Sequence, residues 1–216
     1  MSDLGRAGSN PVPGSVGSVQ SNRPPASQPD ALRNSPANLR ETSRPSGGVT
    51  QPFLQPFLTP HAAIVASWAR TERQLRWLAP STPSPLTPEK VLQWRKPDGH
   101  ALVYMEDART LLGYGELNPM RDEARHYWLG HLVVNPERRG QGIGRAFVRA
   151  LLERAFDQIS ATKVSLLVFP ANAAARACYL HAGFREVCEE FHQFGGRGPR
   201  HRLLRLETLG NGQCKM

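Results

Sequence analysis

Leu132-Val133-Val134-Asn135-Pro136-Glu137-Arg138-Arg139-Gly140-Gln141-Gly142-Ile143-Gly144 joins two kinds of periodicity within thirteen residues. An apolar run rich in β-branched residues stops at Asn135 and Pro136, both poor strand formers. Glycines follow and open an apolar-periodic segment from Ile143 to Phe156. The stretch therefore reads as strand, tight turn and helix. Gly140, Gly142 and Gly144 let the backbone turn sharply and approach a ligand closely. The first N–H groups of a helix have no intrahelical partners and lie at the positive end of its dipole, which makes the turn a site for phosphate. Arg138, Arg139 and Arg145 add cations around it.

Two phosphate-binding patterns fail here. A P-loop needs Lys-Ser/Thr after its second glycine, and the dinucleotide fingerprint needs Gly-x-Gly-x-x-Gly with an acidic residue about twenty positions on. Gly144 is instead followed by Arg145 and Ala146, and position 147 is Phe. What fits is Arg/Gln-x-x-Gly-x-Gly/Ala after a strand ending in Val-x-Pro, here Arg139, Gly142 and Gly144 after Val134 and Pro136. This resembles the acyl-CoA-binding motif of the GNAT family of N-acetyltransferases. A second stretch, Asn172 to Phe184, resembles the same family. Its pattern Asn-x-x-Ala-x-x-x-Tyr-x-x-x-Gly-Phe is matched by Asn172, Ala175, Tyr179, Gly183 and Phe184. Asn172 can cap an alanine-rich helix, and Gly183 can end it in left-handed backbone.

The resemblance covers residues 52–208. It implies an α/β fold: a mixed, mostly antiparallel sheet of six to seven strands, helices on both faces, and two parallel strands splayed at the cofactor site. The order of elements agrees. Phe53–Leu58 reads as a short strand in which Pro56 points to an edge or bulge position, and Pro60–Pro80 as one helix started by Thr59 and Pro60, with Ile64, Val65, Trp68, Leu75 and Leu78 on its apolar stripe. Thr87 and Pro88 start another helix through Trp94. Strands are expected at His100–Glu106, Leu111–Leu117 and His126–Val134, then a helix to Gln158. Lys163–Phe169 is apolar enough for a buried parallel strand. Arg185–Phe194 and His201–Thr208 close the sheet.

The rest of the chain sets limits. A length of 216 residues suits one domain. Residues 1–51 are crowded with Pro, Gly, Ser and Asn, and such a segment buries too little to offset its ordering entropy, so a disordered tail is expected there. Residues 209–216 read as a short C-terminal tail. The net charge is +9 and the sequence pI is about 10.2, which calls for an anionic partner. CoA suffices, and cations scattered without interleaved aromatics do not point to nucleic acid. Cys178, Cys188 and Cys214 have no metal-ligand spacing and suit reduced thiols. With no signal-like or bilayer-length apolar run, a cytoplasmic protein is expected.

As the resemblance implies, acetyl-CoA is the co-substrate, an amine is the acceptor and no metal takes part. Leu132, Val133 and Val134 would pair with the pantetheine amides. Arg139, Gly140, Gln141, Gly142, Ile143 and Gly144 would hold the diphosphate, Asn172 the pantetheine arm, and Tyr179 would protonate the departing thiolate. The base does not carry over. Two positions where some members carry a catalytic glutamate are Trp128 and Leu167 here. Glu116 is the candidate: in a symmetric hairpin with Asn118 facing His126 it lies opposite Trp128, where partial burial would raise its pKa. His131 is the other option, but alternation puts it on the opposite face unless a bulge intervenes. Two apolar base positions also leave open a non-catalytic CoA-binding module.

Overall fold

The computed structural model describes residues 51–121, 123–195 and 198–210. The expected N-terminal tail, apart from Gln51, and residues 211–216 lie outside them. Seven strands are formed: β1 (Phe53–Pro56), β2 (His100–Met105), β3 (Leu111–Pro119), β4 (His126–Val134), β5 (Lys163–Val168), β6 (Arg185–Gln193) and β7 (Arg200–Leu209). They make one sheet in the order β1-β2-β3-β4-β5-β7-β6, in which only β4 and β5 run parallel. The expected mixed sheet is present, and β7 continues one residue past the expected end.

Five α-helices cover the two faces: α1 (His61–Ala66), α2 (Glu72–Leu78), α3 (Pro88–Gln93), α4 (Ile143–Glu153) and α5 (Ala173–His181). Burial divides accordingly. Phe147, Val148, Leu151 and Leu152 of α4 pack with Tyr179, Leu129, Val164 and Leu166 on one face. Val65, Leu75, Val91 and Trp94 pack with Val103, Tyr114 and Val133 on the other. Gly113 is what lets α4 lie close to the sheet: a Cβ there would stand 2.7 Å from the Phe147 ring. Among the described residues no helix is long and apolar enough to cross a membrane.

Two expectations about helices need correction. The single helix over Pro60–Pro80 is two, because Thr71 is extended (φ −132°, ψ 153°) and its hydroxyl caps α2 by accepting from Gln74 N–H at 3.2 Å. Thr59 does not cap α1; Pro60 occupies the N-cap, and no side chain bonds there. Thr87 behaves as read, its Oγ1 accepting from Lys90 N–H at the start of α3. The helix after the glycines does run to Gln158, but as a π turn over Arg154–Gln158.

Candidate active site

The parallel pair holds register only at His126↔Lys163, Tyr127↔Val164 and Trp128↔Ser165, although β4 continues to Val134 and β5 to Val168. The paired end is fastened by side chains. His126 is 4% exposed, and its Nε2 lies 2.5 Å from Ser165 Oγ, which itself donates to Glu207 Oε1 at 3.2 Å. Beyond that fastening the strands diverge, and a cavity of about 630 Å³ opens. Leu132, Val133 and Val134 form its β4 wall, and Leu167 and Val168 its β5 wall.

Arg139, Gly140, Gly142, Gly144 and Arg145 also line the cavity. Gly140 (φ 76°) and Gly142 (φ 78°) are left-handed, the region a side chain disfavours. Gly142 is the N-cap of α4, and no side chain caps that helix and no acidic residue stands in its first turn. Its leading N–H groups thus face the cavity mouth as donors for an anion. Arg139 is held by a bond from Nε to Val134 O at 3.3 Å; burial and the neighbouring Arg70 lower its pKa. Arg138, expected beside it, is paired with Glu106 instead. Gln141 and Ile143 do not line the cavity. Gln141 is exposed and donates to Glu137 O at 3.5 Å, while Ile143 packs against the α4-side core. The strict glycine spacing turns these two side chains away from the wall that the glycines expose.

Asn172 and Tyr179 reach the same cavity from α5. Asn172 Oδ1 accepts from Ala175 N–H at 3.4 Å, so the cap that starts the helix also stands at the wall. At the other end Gly183 (φ 102°) closes a Schellman turn, with Phe184 N–H on Tyr179 O and Gly183 N–H on Leu180 O. Tyr179 is 8% exposed, and burial, with Cys178 beside it, pushes its phenol well above the usual tyrosine range. It remains protonated at neutral pH. Cys178 also lines the cavity, and burial raises its thiol pKa against the opposing pull of Arg145.

The β3–β4 register differs from the symmetric hairpin expected. Asn118 faces Trp128 and Glu116 faces Gly130, then Tyr114 faces Val133, so β4 carries one extra residue. The slip of two between Asn118 and its expected partner keeps Glu116 on the Trp128 face. The extra residue is the bulge that alternation alone did not supply. His131 sits in it with φ 47°, and its Nδ1 lies 3.2 Å from Glu116 Oε2. Glu116 is 1% exposed and does not line the cavity. Its Oε1 accepts from the Tyr114 hydroxyl, and its Oε2 from Asn118 Nδ2 at 3.0 Å. The expected upward pKa shift is reversed: burial does push the carboxyl up, but His131, Tyr114 and Asn118 outweigh it and hold the group below its ordinary value.

The remaining wall comes from α2 and the segment between α1 and α2. Trp68, Arg73, Gln74, Trp77 and Leu78 line it, and Arg73 lies over the Trp77 ring at 5.3 Å. Glu72 is exposed and takes no part in it. Trp94 is core, 7% exposed, and stacks on His131 with ring centres 4.3 Å apart. Arg145 stands where the sequence put it, whereas Arg73 and Cys178 were reachable only through knowing which helix faces meet, since neither repeats at a spacing that marks a ligand site. Among the described residues no three of His, Cys, Asp and Glu converge as metal ligands would.

Residues 65–184 match the family model described as the acetyltransferase (GNAT) family. Mycothiol acetyltransferase of Thermomonospora curvata is 40% identical over 72 residues, 33% of this chain and 23% of that protein, so the match spans under a quarter of that relative's length. A spermidine N-acetyltransferase from Vibrio cholerae, solved with CoA and spermine, superposes with a TM-score of 0.62 at 18% identity, over 74% of this chain and 95% of its own. A ribosomal-protein-S5-alanine acetyltransferase from Vibrio fischeri gives 0.59 at 16% identity, over 76% and 94%. At these identities the two solved structures speak for the fold.

Proposed function

Since the chain belongs to the acetyltransferase (GNAT) family and is thus an acyltransferase, we propose that it moves an acetyl group from acetyl-CoA to a primary amine of a small molecule or peptide by direct attack. The observation that carries this reading is the uncapped start of α4 at the mouth of the cavity between splayed strands. Leading N–H groups and Arg139 and Arg145 suit the diphosphate, and Gly142 leaves room for it. The main chain of Leu132–Val134, unpaired with β5, can bond the pantetheine amides as an added strand would. One N–H aimed at the thioester oxygen is worth about 10²–10³ in rate. Asn172 stands where the arm would pass.

Transfer then proceeds by the amine lone pair attacking the thioester carbon, the C–S bond breaking and the thiolate taking the Tyr179 proton. The amine loses a proton first, and the Glu116 cluster supplies the base. Cys178 is kept as a thiol by burial, which favours direct attack over an acyl-enzyme. Thiol release from acetyl-CoA over a panel of amino acids, peptides, aminoglycosides and polyamines tests the proposal. Intersecting initial-velocity lines are expected. Parallel lines would indicate an acyl-enzyme, and tight CoA binding without turnover of any amine would remove the reading.

A further inference from the structure

Resting on the acetyl-transfer reading, we propose that His131 is the catalytic residue that takes the proton from the acceptor amine, through one water, and that Glu116 is its positioning residue. Four observations converge. The first is backbone strain: a non-glycine residue at φ 47° within a strand persists only where its surroundings demand it. The strained residue immediately precedes Leu132 and Val133, which form the cavity wall. Its bulge swings His131 onto the face that carries Trp94; His131 is not itself a lining residue of the cavity, so an intervening water completes its reach to the amine.

The second is the inequality of burial between the partners. Glu116 has 1% of its side chain exposed, is bonded by Tyr114 and Asn118 and lies against His131, so it cannot touch an amine. His131 has 28% exposed. The third is the tautomer. Nδ1 of His131 lies 3.2 Å from Oε2 of the ionised Glu116, a neighbour that favours the tautomer with its proton on Nδ1 and so leaves the lone pair on Nε2 at the far side of the ring. The fourth is the fixing of the ring plane by Trp94, stacked at 10° and itself anchored by Nε1–H to Thr82 Oγ1 at 2.9 Å. A carboxylate that orients an imidazole and stabilises its cation is a known arrangement for a general base.

The proton balance is simple. The ammonium gives one proton to Nε2, forming an imidazolium that Glu116 stabilises, and the freed lone pair forms the C–N bond. The C–S bond breaks, Tyr179 protonates the sulfur, and the second amine proton restores the phenol. Net, an ammonium and a thioester give an amide, a thiol and one proton. The groups that face His131 and bear on its charge are Glu116 and, behind it, Tyr114 from β3; Arg95, just past Trp94, opposes the upward shift of Tyr114.

The experiment is the pH profile of kcat/KM for wild type, His131→Asn and Glu116→Gln, with CoA affinity and Tm measured alongside. Asn tolerates the left-handed backbone, so the fold survives the first change. His131→Asn should lower kcat/KM by about 10²–10⁴ and erase the acid limb, with CoA affinity unchanged. Glu116→Gln should keep the limb but move it to lower pH, because the imidazolium loses its counter-charge. A purely structural role would lower the rate without moving the limb. Either an intact limb in His131→Asn or an unmoved limb in Glu116→Gln overturns the relay while leaving acetyl transfer standing. Wild type that turns over no amine would remove acetyl transfer itself, and the relay with it.

Discussion

Phe184 donates its main-chain N–H to the Tyr179 carbonyl at 3.1 Å, and the two rings meet edge to face with centres 5.9 Å apart. The closing turn of α5 thus fixes the ring whose hydroxyl the mechanism needs. Because the contact is made by ring and main chain, Tyr179→Phe keeps it and removes only the hydroxyl. Expected are a loss of about 10²–10⁴ in kcat, a CoA affinity within about threefold of wild type and an unchanged Tm. Stopped-flow thiol release and calorimetry check this, and an unaltered kcat would take Tyr179 out of the proton path.

Glu116 also predicts how stability responds to acid. Its folded pKa is held below the ordinary value, so the unfolded chain binds the proton more readily. The carboxylate's contribution is present above the unfolded pKa, near 4.3, and is lost as pH falls through the lower folded value. Urea unfolding below about pH 4.5 should show wild-type stability falling more steeply than that of Glu116→Gln, by at most about 1.4 kcal/mol per pH unit for one proton. Equal slopes would mean that His131, Tyr114 and Asn118 do not hold the charge.

The parts of this site that are legible in the sequence are those with local causes. Positive φ at Gly140, Gly142 and Gly183 needs glycine, and a cap at Asn172 needs a short polar side chain, so motif and backbone agree residue by residue. The divergence of β4 from β5 follows from the fold that those motifs imply. The bulge at His131 has no such signature. A left-handed residue in a strand is announced by Gly or Asn, and here the position is held by Trp94 from α3 and Glu116 from β3, both remote in sequence. The break between α1 and α2 was written as Thr71 before Glu72, but the apolar stripe continues through it and masks the cap.

Acceptor charge is the next point at which the cavity is selective. Arg73, Arg139 and Arg145 stand on its wall, and among the described wall residues there is no Asp or Glu. With the diphosphate bound, Arg73 over Trp77 remains to repel a polycation. Arg73 is exposed, so water and salt screen the repulsion, and one such pair is worth on the order of 0.5–1 kcal/mol. Spermidine should therefore show kcat/KM about two- to fivefold below that of a neutral peptide's N-terminal amine, and Arg73→Gln should narrow the gap. A preference for spermidine would place the acceptor outside this wall.

Gly142 gives a test that separates binding from folding. A Cβ there meets nothing within 4 Å, so the space is open, but the φ of 78° would cost a side chain about 1–2 kcal/mol, and more for a β-branched one. Gly183 has the same properties, φ 102° and no neighbour within 4 Å, at the far end of α5. Gly142→Val and Gly183→Val should thus lower Tm comparably. Only the first puts methyl groups into the anion cradle at the start of α4, so only the first should weaken CoA binding, by about 100-fold or more, equivalent to about 2.7 kcal/mol. Equal CoA affinity in the two variants would show that the diphosphate is held elsewhere.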